Sequence, residues 1–265
     1  MKLHSKPWYD QLAKQQVGYA PAAARDYDEG WGSGEEFYLR AVREHLFPEA
    51  IVGESGCAEG GVAIELSPLC QQITAYDRIE PYIDLARQRA SEADIHNVEF
   101  ICFDSSADAN GGVPHLPFED QSLDLMMSRR GPMHWLPDVR RVLKPGGIVL
   151  QLCMLQWRAP LPWASDLPSG LQPSQDHLRG FGRESVERDL ATGDLHLDSY
   201  WEFDVPMYLP DPTSLYKHLC VGRHADDLPE YPTVTPLFEV IFEKYGIEGR
   251  LQLRQRRFMW KAISR

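Results

Sequence analysis

The chain has no CxxC pair among its five cysteines, Cys57, Cys70, Cys102, Cys153 and Cys220. Odd in number and widely spaced, they indicate neither a zinc knuckle nor a disulfide framework, and a reducing compartment is the default. Long apolar runs are also missing. The longest nearly unbroken one, Ile148 to Leu155, is interrupted by Gln151 and is far too short to cross a bilayer. The opening residues carry no apolar h-region, so no secretory signal is read there and a cytoplasmic location is expected. There is no internal repeat and no low-complexity tract. Positive charge is in deficit: 27 Lys and Arg against 39 Asp and Glu give −12. A field of that sign repels phosphate backbones and disfavours broad nucleic-acid binding. One local exception, formed by Arg250, Arg254, Arg256, Arg257 and Lys261, reads as the exposed face of a terminal strand.

What is present is an ordinary globular composition, 43% hydrophobic and 25% charged over 265 residues. That size fits one large α/β domain or two small ones. From Glu35 to Phe47 apolar residues recur at helical spacing, up to Pro48. Short apolar runs then alternate with helical stretches. Strands are expected at 50–53, 72–76, 98–103, 123–127 and 148–154, with helices at 60–69, 81–93 and 135–143. Nearly continuous apolar strands separated by helices imply a parallel sheet covered on both faces. The Pro, Gly and Ser-rich residues 156–182 read as a long surface excursion. Beyond it come a helix at 186–191, an extended run at 195–205, helices at 215–221 and 236–245, and a closing strand at 251–263. With no charged linker between these parts, one domain over 1–265 is expected: a helical lid (1–47), a cofactor-binding core (48–154), and a substrate-side insertion with C-terminal strands (155–265).

The most informative stretch is Ile51-Val52-Gly53-Glu54-Ser55-Gly56-Cys57-Ala58-Glu59-Gly60-Gly61. It joins the first core strand to a helix, where doubly wound folds bind ligands. Gly56, Ala58, Gly60 and Gly61 let the backbone come close to a ligand. Asp77 ends the next strand, where an acid can accept hydrogen bonds from ribose hydroxyls. Two cofactor classes compete here. A dinucleotide places its pyrophosphate on the helix N-terminus and wants G-x-G-x-x-G; the chain offers Gly56-x-Ala58-x-x-Gly61. S-adenosylmethionine has no phosphate and carries a cationic sulfonium and an amino-acid end. Glu54 suits that cation and would repel a pyrophosphate.

These residues resemble the class I S-adenosylmethionine-dependent methyltransferases. Glu54-Ser55-Gly56-Cys57-Ala58-Glu59-Gly60 follows the family's first motif, with Ala58 in place of the middle glycine. Asp77 in Ala75-Tyr76-Asp77-Arg78 matches the ribose-binding acid. Asp104 in Cys102-Phe103-Asp104-Ser105 matches the acid that hydrogen-bonds the adenine amino group. The segment from Leu116 to Leu125 resembles the approach to strand four, and Val142 to Gly147 the turn before strand five. Trp8-Tyr9-Asp10 and Ser128-Arg129-Arg130-Gly131-Pro132 resemble flanking segments of one subgroup of single-domain members. The resemblance implies a doubly wound, mostly parallel seven-stranded sheet with an antiparallel C-terminal strand, helices on both faces and an N-terminal helical lid. It implies a cofactor site made of Glu54, Gly56, Cys57, Ala58, Gly60, Asp77, Arg78, Asp104, Ser105, Ser128 and Arg129.

Methyl transfer from a sulfonium needs positioning and desolvation of the acceptor, and a base only if the acceptor carries a proton. The loop from Ser128 to Trp135 leaves strand four on the acceptor side. His134 is the candidate base, and Arg130, with Arg129, can orient an acidic acceptor or pair with a nearby carboxylate. Cys153 reads as a small apolar filler, and Asp124 as structural. His177, His218 and His224 form no metal spacing, so no metal is expected. Trp8, Tyr9, Tyr19 and Trp31 either cover the cofactor or pack the N-terminal helices. The expected activity is transfer of a methyl group from S-adenosylmethionine to an oxygen or nitrogen of a small-molecule acceptor. The alternatives are an RNA acceptor, a nicotinamide-dependent oxidoreductase on the same core, and a cofactor-binding scaffold without transfer activity.

Overall fold

The computed structural model describes residues 6–15, 26–27, 34–154, 161–172, 182–220 and 228–264. In chain order its main elements are α1 (Lys6–Gln15), β1 (Asp26–Tyr27), α2 (Glu35–Arg43), β2 (Ile51–Ser55), α3 (Gly61–Leu66), β3 (Gln72–Asp77), α4 (Glu80–Glu92), β4 (Val98–Cys102), β5 (Leu123–Arg129), α5 (Leu136–Val142), β6 (Leu143–Met154), α6 (Arg183–Thr192), β7 (His196–Leu209), α7 (Pro212–Cys220), α8 (Tyr231–Tyr245) and β8 (Leu251–Ile263). The chain forms two compact units. One comprises Met1–Ser33, Leu155–Gly180 and Phe203–Arg256; the other comprises Gly34–Met154, Phe181–Glu202 and Arg257–Arg265.

The sheet has eight strands in the order β1-β7-β8-β6-β5-β2-β3-β4, and the second unit holds β2 to β6 whole with residues 196–202 of β7 and 257–263 of β8. From β6 to β4 every neighbour is parallel. β8 runs antiparallel to β6, with Ile148 opposite Ile263 and Met154 opposite Arg257. The central strands are apolar along their length because both faces are covered: Val52, Ile73, Leu125, Met126, Met127, Val149, Leu150 and Leu152 are all buried. Helices supply the cover through Tyr38 and Val42 of α2, Leu66 of α3, Ile83 and Ala86 of α4, and Val139 and Val142 of α5.

The first unit has its own apolar core, built from Trp163, Leu167 and Leu171, Met207 and Leu209 of β7, helices α7 and α8, and Leu251 and Leu253 of β8. This corrects the surface reading of 156–182. In its described part, 161–172, two short 3-10 turns carry Trp163, Leu167 and Leu171 inward, and each is buried. Proline and glycine mark turns, but three well-spaced apolar side chains decide where the turns lie. β1 pairs antiparallel with the C-terminal end of β7, Asp26 opposite Tyr208.

Other differences concern ends. α2 stops at Arg43, four residues before Phe47, because the backbone tightens into short-range turns at His45 and Leu46. β6 starts at Leu143 rather than at Ile148. Leu143 lies opposite Leu123 and Ile148 opposite Leu125, so Lys144–Gly147 bulges out of a continuing strand. α8 begins at Tyr231, with Pro232 in its first turn, where a missing N–H costs nothing, and Pro236 inside it.

Side-chain struts set the approach to β5. Arg141 of α5 donates to Asp138, Asp120 and the carbonyls of Leu116 and Phe118. Asp138 in turn accepts from the backbone N–H of Leu116 at 2.7 Å. Asp124 accepts from Ile51 N–H and from Lys144, which confirms a structural role for it.

Gly60 seats α3. A Cβ there would lie 2.6 Å from Phe100 Cζ and 2.9 Å from the Ala86 Cβ, and its φ is +78°. Its smallness therefore serves the packing of the loop on β4 and α4. Gly61, by contrast, faces open space. Gly60→Ala is expected to lower unfolding free energy by about 2–4 kcal/mol through overpacking and a left-handed backbone, while Gly61→Ala changes it by less than about 1 kcal/mol. Urea unfolding of the two variants checks this; equal effects would reject the packing role.

Candidate active site

The site forms where β2, β3, β4 and β5 end side by side. Parallel pairing places Glu54 opposite Ala75 and Met127, and Asp77 opposite Cys102. Acids at the ends of adjacent strands are thereby brought together from positions far apart in the chain.

Asp77 ties the glycine loop down. One of its oxygens accepts from Ala58 N–H at 3.1 Å and the other from Ile79 N–H at 3.0 Å. Burial raises its carboxyl, and these backbone bonds and Arg78 oppose the rise. The N–H groups of Gly56 and Cys57 both reach Tyr76 O, at 2.9 and 3.1 Å. Ala58, where the resemblance has glycine, adopts a left-handed backbone with φ of 47°. The conformation that the motif requires is thus kept without the residue that favours it, at a cost of about 1 kcal/mol. The Cys57 thiol is buried and pushed well up by burial, so it is no nucleophile.

Glu54 has the most unusual environment. It is 2% exposed, and its Oε2 makes no hydrogen bond. Burial pushes its carboxyl up to about 7; Arg129 acts against that rise and Asp77 adds to it. At neutral pH the group is poised between its two forms, with Arg129 and the backbone N–H of Ala63 favouring the charged one.

Asp104 lies two residues beyond the end of β4. It accepts from Ser106 N–H at 3.0 Å and is 3.9 Å from an Arg78 Nη. Burial works to raise its carboxyl, but Ser106, Arg78 and His134 outweigh burial and hold it below the ordinary value. Ser105 joins a hydrogen-bond chain. Tyr76 O–H donates to Ser105 Oγ at 3.0 Å, and Ser105 Oγ is 2.9 Å from His134 Nε2. Burial lowers the His134 pKa, opposed by Asp104 and aided by Arg78, which favours the neutral ring. His134 therefore stands on the Asp104 side of the site, a position that its place in the chain after strand four did not disclose.

The loop after β5 is held tightly. Ser128 Oγ donates to Ser55 O at 2.9 Å and is buried, so this hydroxyl joins β5 to β2. Gln151, buried in β6, donates to Gly131 O at 2.9 Å. A Cβ on Gly131 would lie 2.6 Å from Ser128 Oγ, and one on Gly56 would lie 3.5 Å from Gly131 Cα. The loop thus closes directly on the glycine turn. Arg129 and Arg130 both face Glu35, at 3.7 and 3.5 Å, and Arg257 reaches the same carboxylate at 3.0 Å. Pairing with a carboxylate, one of the two readings of these arginines, is what the structure displays. Cys153 is buried against Met133, as a filler should be. Of the N-terminal aromatics, Trp8 is buried and packs edge-on to Tyr9; Tyr19 and Trp31 lie outside the described residues.

Sequence reasoning missed Glu35, Gln151 and the Tyr76 hydroxyl. Gln151 had a signal, since it is the one polar residue breaking the longest apolar run. Glu35 had none, because 94 residues separate it from Arg129 (129 less 35). Among the described residues no group of His, Cys, Asp and Glu has the arrangement of a metal site, and no helix is long and apolar enough to cross a membrane.

The Glu54 carboxyl makes stability depend on pH. Its ordinary value is near 4.5 and its folded value about 7. Between these the unfolded chain has lost the proton and the folded chain keeps it, so stability falls as pH rises through the window. The fall is on the order of 3 kcal/mol and is complete above its upper end. Glu54→Gln is expected to remove it, leaving the variant more stable than wild type at pH 8 but not at pH 4. Urea unfolding at both pH values measures this, and an unchanged pH dependence would contradict it.

Residues 52–147 match a family described as "Methyltransferase domain". A demethylmenaquinone methyltransferase from Listeria monocytogenes serotype 4a is 37% identical over 81 residues, which cover 28% of this chain and 31% of that protein. The chain thus matches about a third of the length of this curated relative. Among solved structures, a functionally unknown protein from Deinococcus radiodurans R1 superimposes with a TM-score of 0.66 at 18% identity, covering 98% of this chain and 100% of that one. The YcgJ protein from Bacillus subtilis gives a TM-score of 0.58 at 17% identity, covering 87% of this chain and 99% of its own. At such identities the likeness is one of fold. Over residues 52–147 the chain thus matches a methyltransferase domain, and the solved structures share its fold.

Proposed function

We propose that this protein is an S-adenosylmethionine-dependent methyltransferase that modifies an oxygen or nitrogen of a small-molecule acceptor. The observation that carries this reading is Glu54: a buried carboxyl, with one oxygen lacking a partner, at the mouth of a glycine loop. A cation completes such a site, whereas a pyrophosphate would meet Glu54, Asp77 and Asp104 together. The nicotinamide alternative is correspondingly disfavoured. The RNA alternative is weakened by pairing within the basic C-terminal group. Arg254 and Arg256 meet Asp204 at 2.9 and 3.3 Å, Lys261 meets Asp198 at 2.9 Å, and Arg257 is buried.

S-adenosylmethionine, when bound, supplies an activated methyl carbon and a sulfonium leaving group. The chain's part is to hold and enclose. Asp77 keeps lone pairs for ribose hydroxyls after accepting its two backbone bonds. Asp104, held ionised, is suited to the adenine amino group. Glu54 balances the cationic end. The Gly131–Pro132 stretch, packed on Gly56, excludes water from one side of the cradle.

A base is needed only for an acceptor that carries a proton, and His134 is the group assigned to it. With the ring proton on Nε2, that nitrogen donates to Ser105 and Nδ1 is left to accept. His134→Gln is expected to lower turnover at least tenfold and leave S-adenosylhomocysteine affinity within about twofold. A matching loss of affinity would assign His134 to the cofactor wall instead.

Calorimetry with S-adenosylhomocysteine tests the main reading, and binding by a folded sample is expected. The ligand's ammonium should draw Glu54 to its charged form, so binding near pH 7 should release a proton. Heats measured in two buffers of different ionisation enthalpy detect that release. It should vanish in Glu54→Gln, and no binding by the wild type would reject the proposal.

A further inference from the structure

Arg129 and Arg130 are held in an unusual way. Each lies within ion-pair distance of Glu35, at 3.7 and 3.5 Å, yet among the described residues neither guanidinium makes a hydrogen bond. The Nε of Arg130 is buried without a partner. Glu35 itself is gripped more closely by Arg257, at 3.0 Å, from strand β8 on the far side of β6. The Arg257 side chain is 3% exposed, whereas those of Arg130 and Arg129 are 21% and 34% exposed. Two guanidiniums with unused donors therefore remain within reach of a ligand, loosely balanced by an acid whose main tie is elsewhere.

The backbone gives an independent indication. Arg130 has φ of 63°, a left-handed conformation that costs a non-glycine residue about 1–2 kcal/mol. Its N–H is anchored to Leu152 O at 2.6 Å. Strain kept at a charged residue beside a binding loop calls for a functional reason. Arg130 directly precedes Gly131, which packs against Gly56. It also stands over the ends of β5 and β6, whereas Glu54, Asp77 and Asp104 belong to β2, β3 and the segment after β4. It thus occupies the boundary between the cofactor cradle and the acceptor side.

We infer that Arg130, assisted by Arg129, binds an oxyanion on the methyl acceptor, a carboxylate or a phosphate, so that the acceptor is an acid. A guanidinium fork meets such a group through two parallel charged hydrogen bonds. The oxyanion takes over the donors that Glu35 leaves unused, and Glu35, retained by Arg257, keeps the pair from unbalanced charge before the acceptor arrives. This deepens the methyltransferase reading and rests on it for the identity of the acceptor side.

The experiment uses the full chain and three variants, Arg130→Gln, Arg130→Lys and Arg130→Gly; glycine suits the left-handed backbone and controls for misfolding. Inorganic phosphate is titrated calorimetrically into protein saturated with S-adenosylhomocysteine. Binding by wild type, about tenfold weaker in the Gln and Gly variants and intermediate in Lys, with S-adenosylhomocysteine affinity within about twofold throughout, is the expected result. Phosphate binding that is absent from wild type or equal in all four proteins overturns the proposal. So does a tenfold loss of S-adenosylhomocysteine affinity with methylthioadenosine affinity unchanged, since the oxyanion bound would then be the cofactor's own carboxylate. Should wild type bind neither nucleoside, the methyltransferase reading fails by itself, and the same phosphate titration on the unliganded chain still decides whether Arg130 is an anion receptor.

Discussion

The geometry of the cradle depends on one carboxylate. Asp77 gives one oxygen to the glycine loop and the other to the start of the turn into α4. Through these bonds the ends of β2 and β3 become one rigid edge, and the backbone of Ala58 is kept in a conformation that alanine does not favour. A side chain that grips both loops is already fixed in place, and each of its oxygens keeps a lone pair for a further donor. Preorganisation of this kind reduces the ordering that binding itself must impose. The same logic governs the opposite wall, where Ser128 and Gln151 fasten the loop after β5 to the strands on either side of it.

Charge is distributed unevenly around this edge. Glu54, Asp77 and Asp104 lie along the ends of β2 to β4, and Arg129, Arg130 and Arg257 lie around Glu35 at the ends of β5, β6 and β8. Acids on one side and guanidiniums on the other, with Arg129 acting on both Glu54 and Glu35, define a local polarity opposite in sense on its two flanks. A protein with a formal charge of −12 can thus gather three guanidiniums around one carboxylate.

Much of this was legible in the sequence because it is local. Apolar runs of strand length alternating with helical stretches disclosed the parallel sheet, and Glu54, Asp77 and Asp104 were found because each ends or follows a strand. The bulge at Lys144–Gly147 hid the true start of β6, since Pro and Gly mark a turn whether or not pairing continues past it. The burial of Trp163, Leu167 and Leu171 was masked by the polar residues between them. What could not be read is what depends on distant partners. Glu35 opens a helix and gives no sign that three arginines converge on it. The place of His134 beside Ser105 comes from loop geometry rather than from spacing. Ala58 was noticed as a departure from glycine, but only the backbone angle reveals that the turn survived it.

The antiparallel edge has a bearing on synthesis. Residues 148–154 of β6 pair with β8, whose matching residues 257–263 emerge from the ribosome roughly a hundred residues later. Until then the nascent sheet presents Ile148, Val149, Leu150 and Leu152 along an open border, a template onto which a neighbouring chain can add a strand. This late segment is therefore the one that covers the β6 border, and a translation product stopping before it would carry the strand ends around Glu54 and Asp77 complete but that border uncapped.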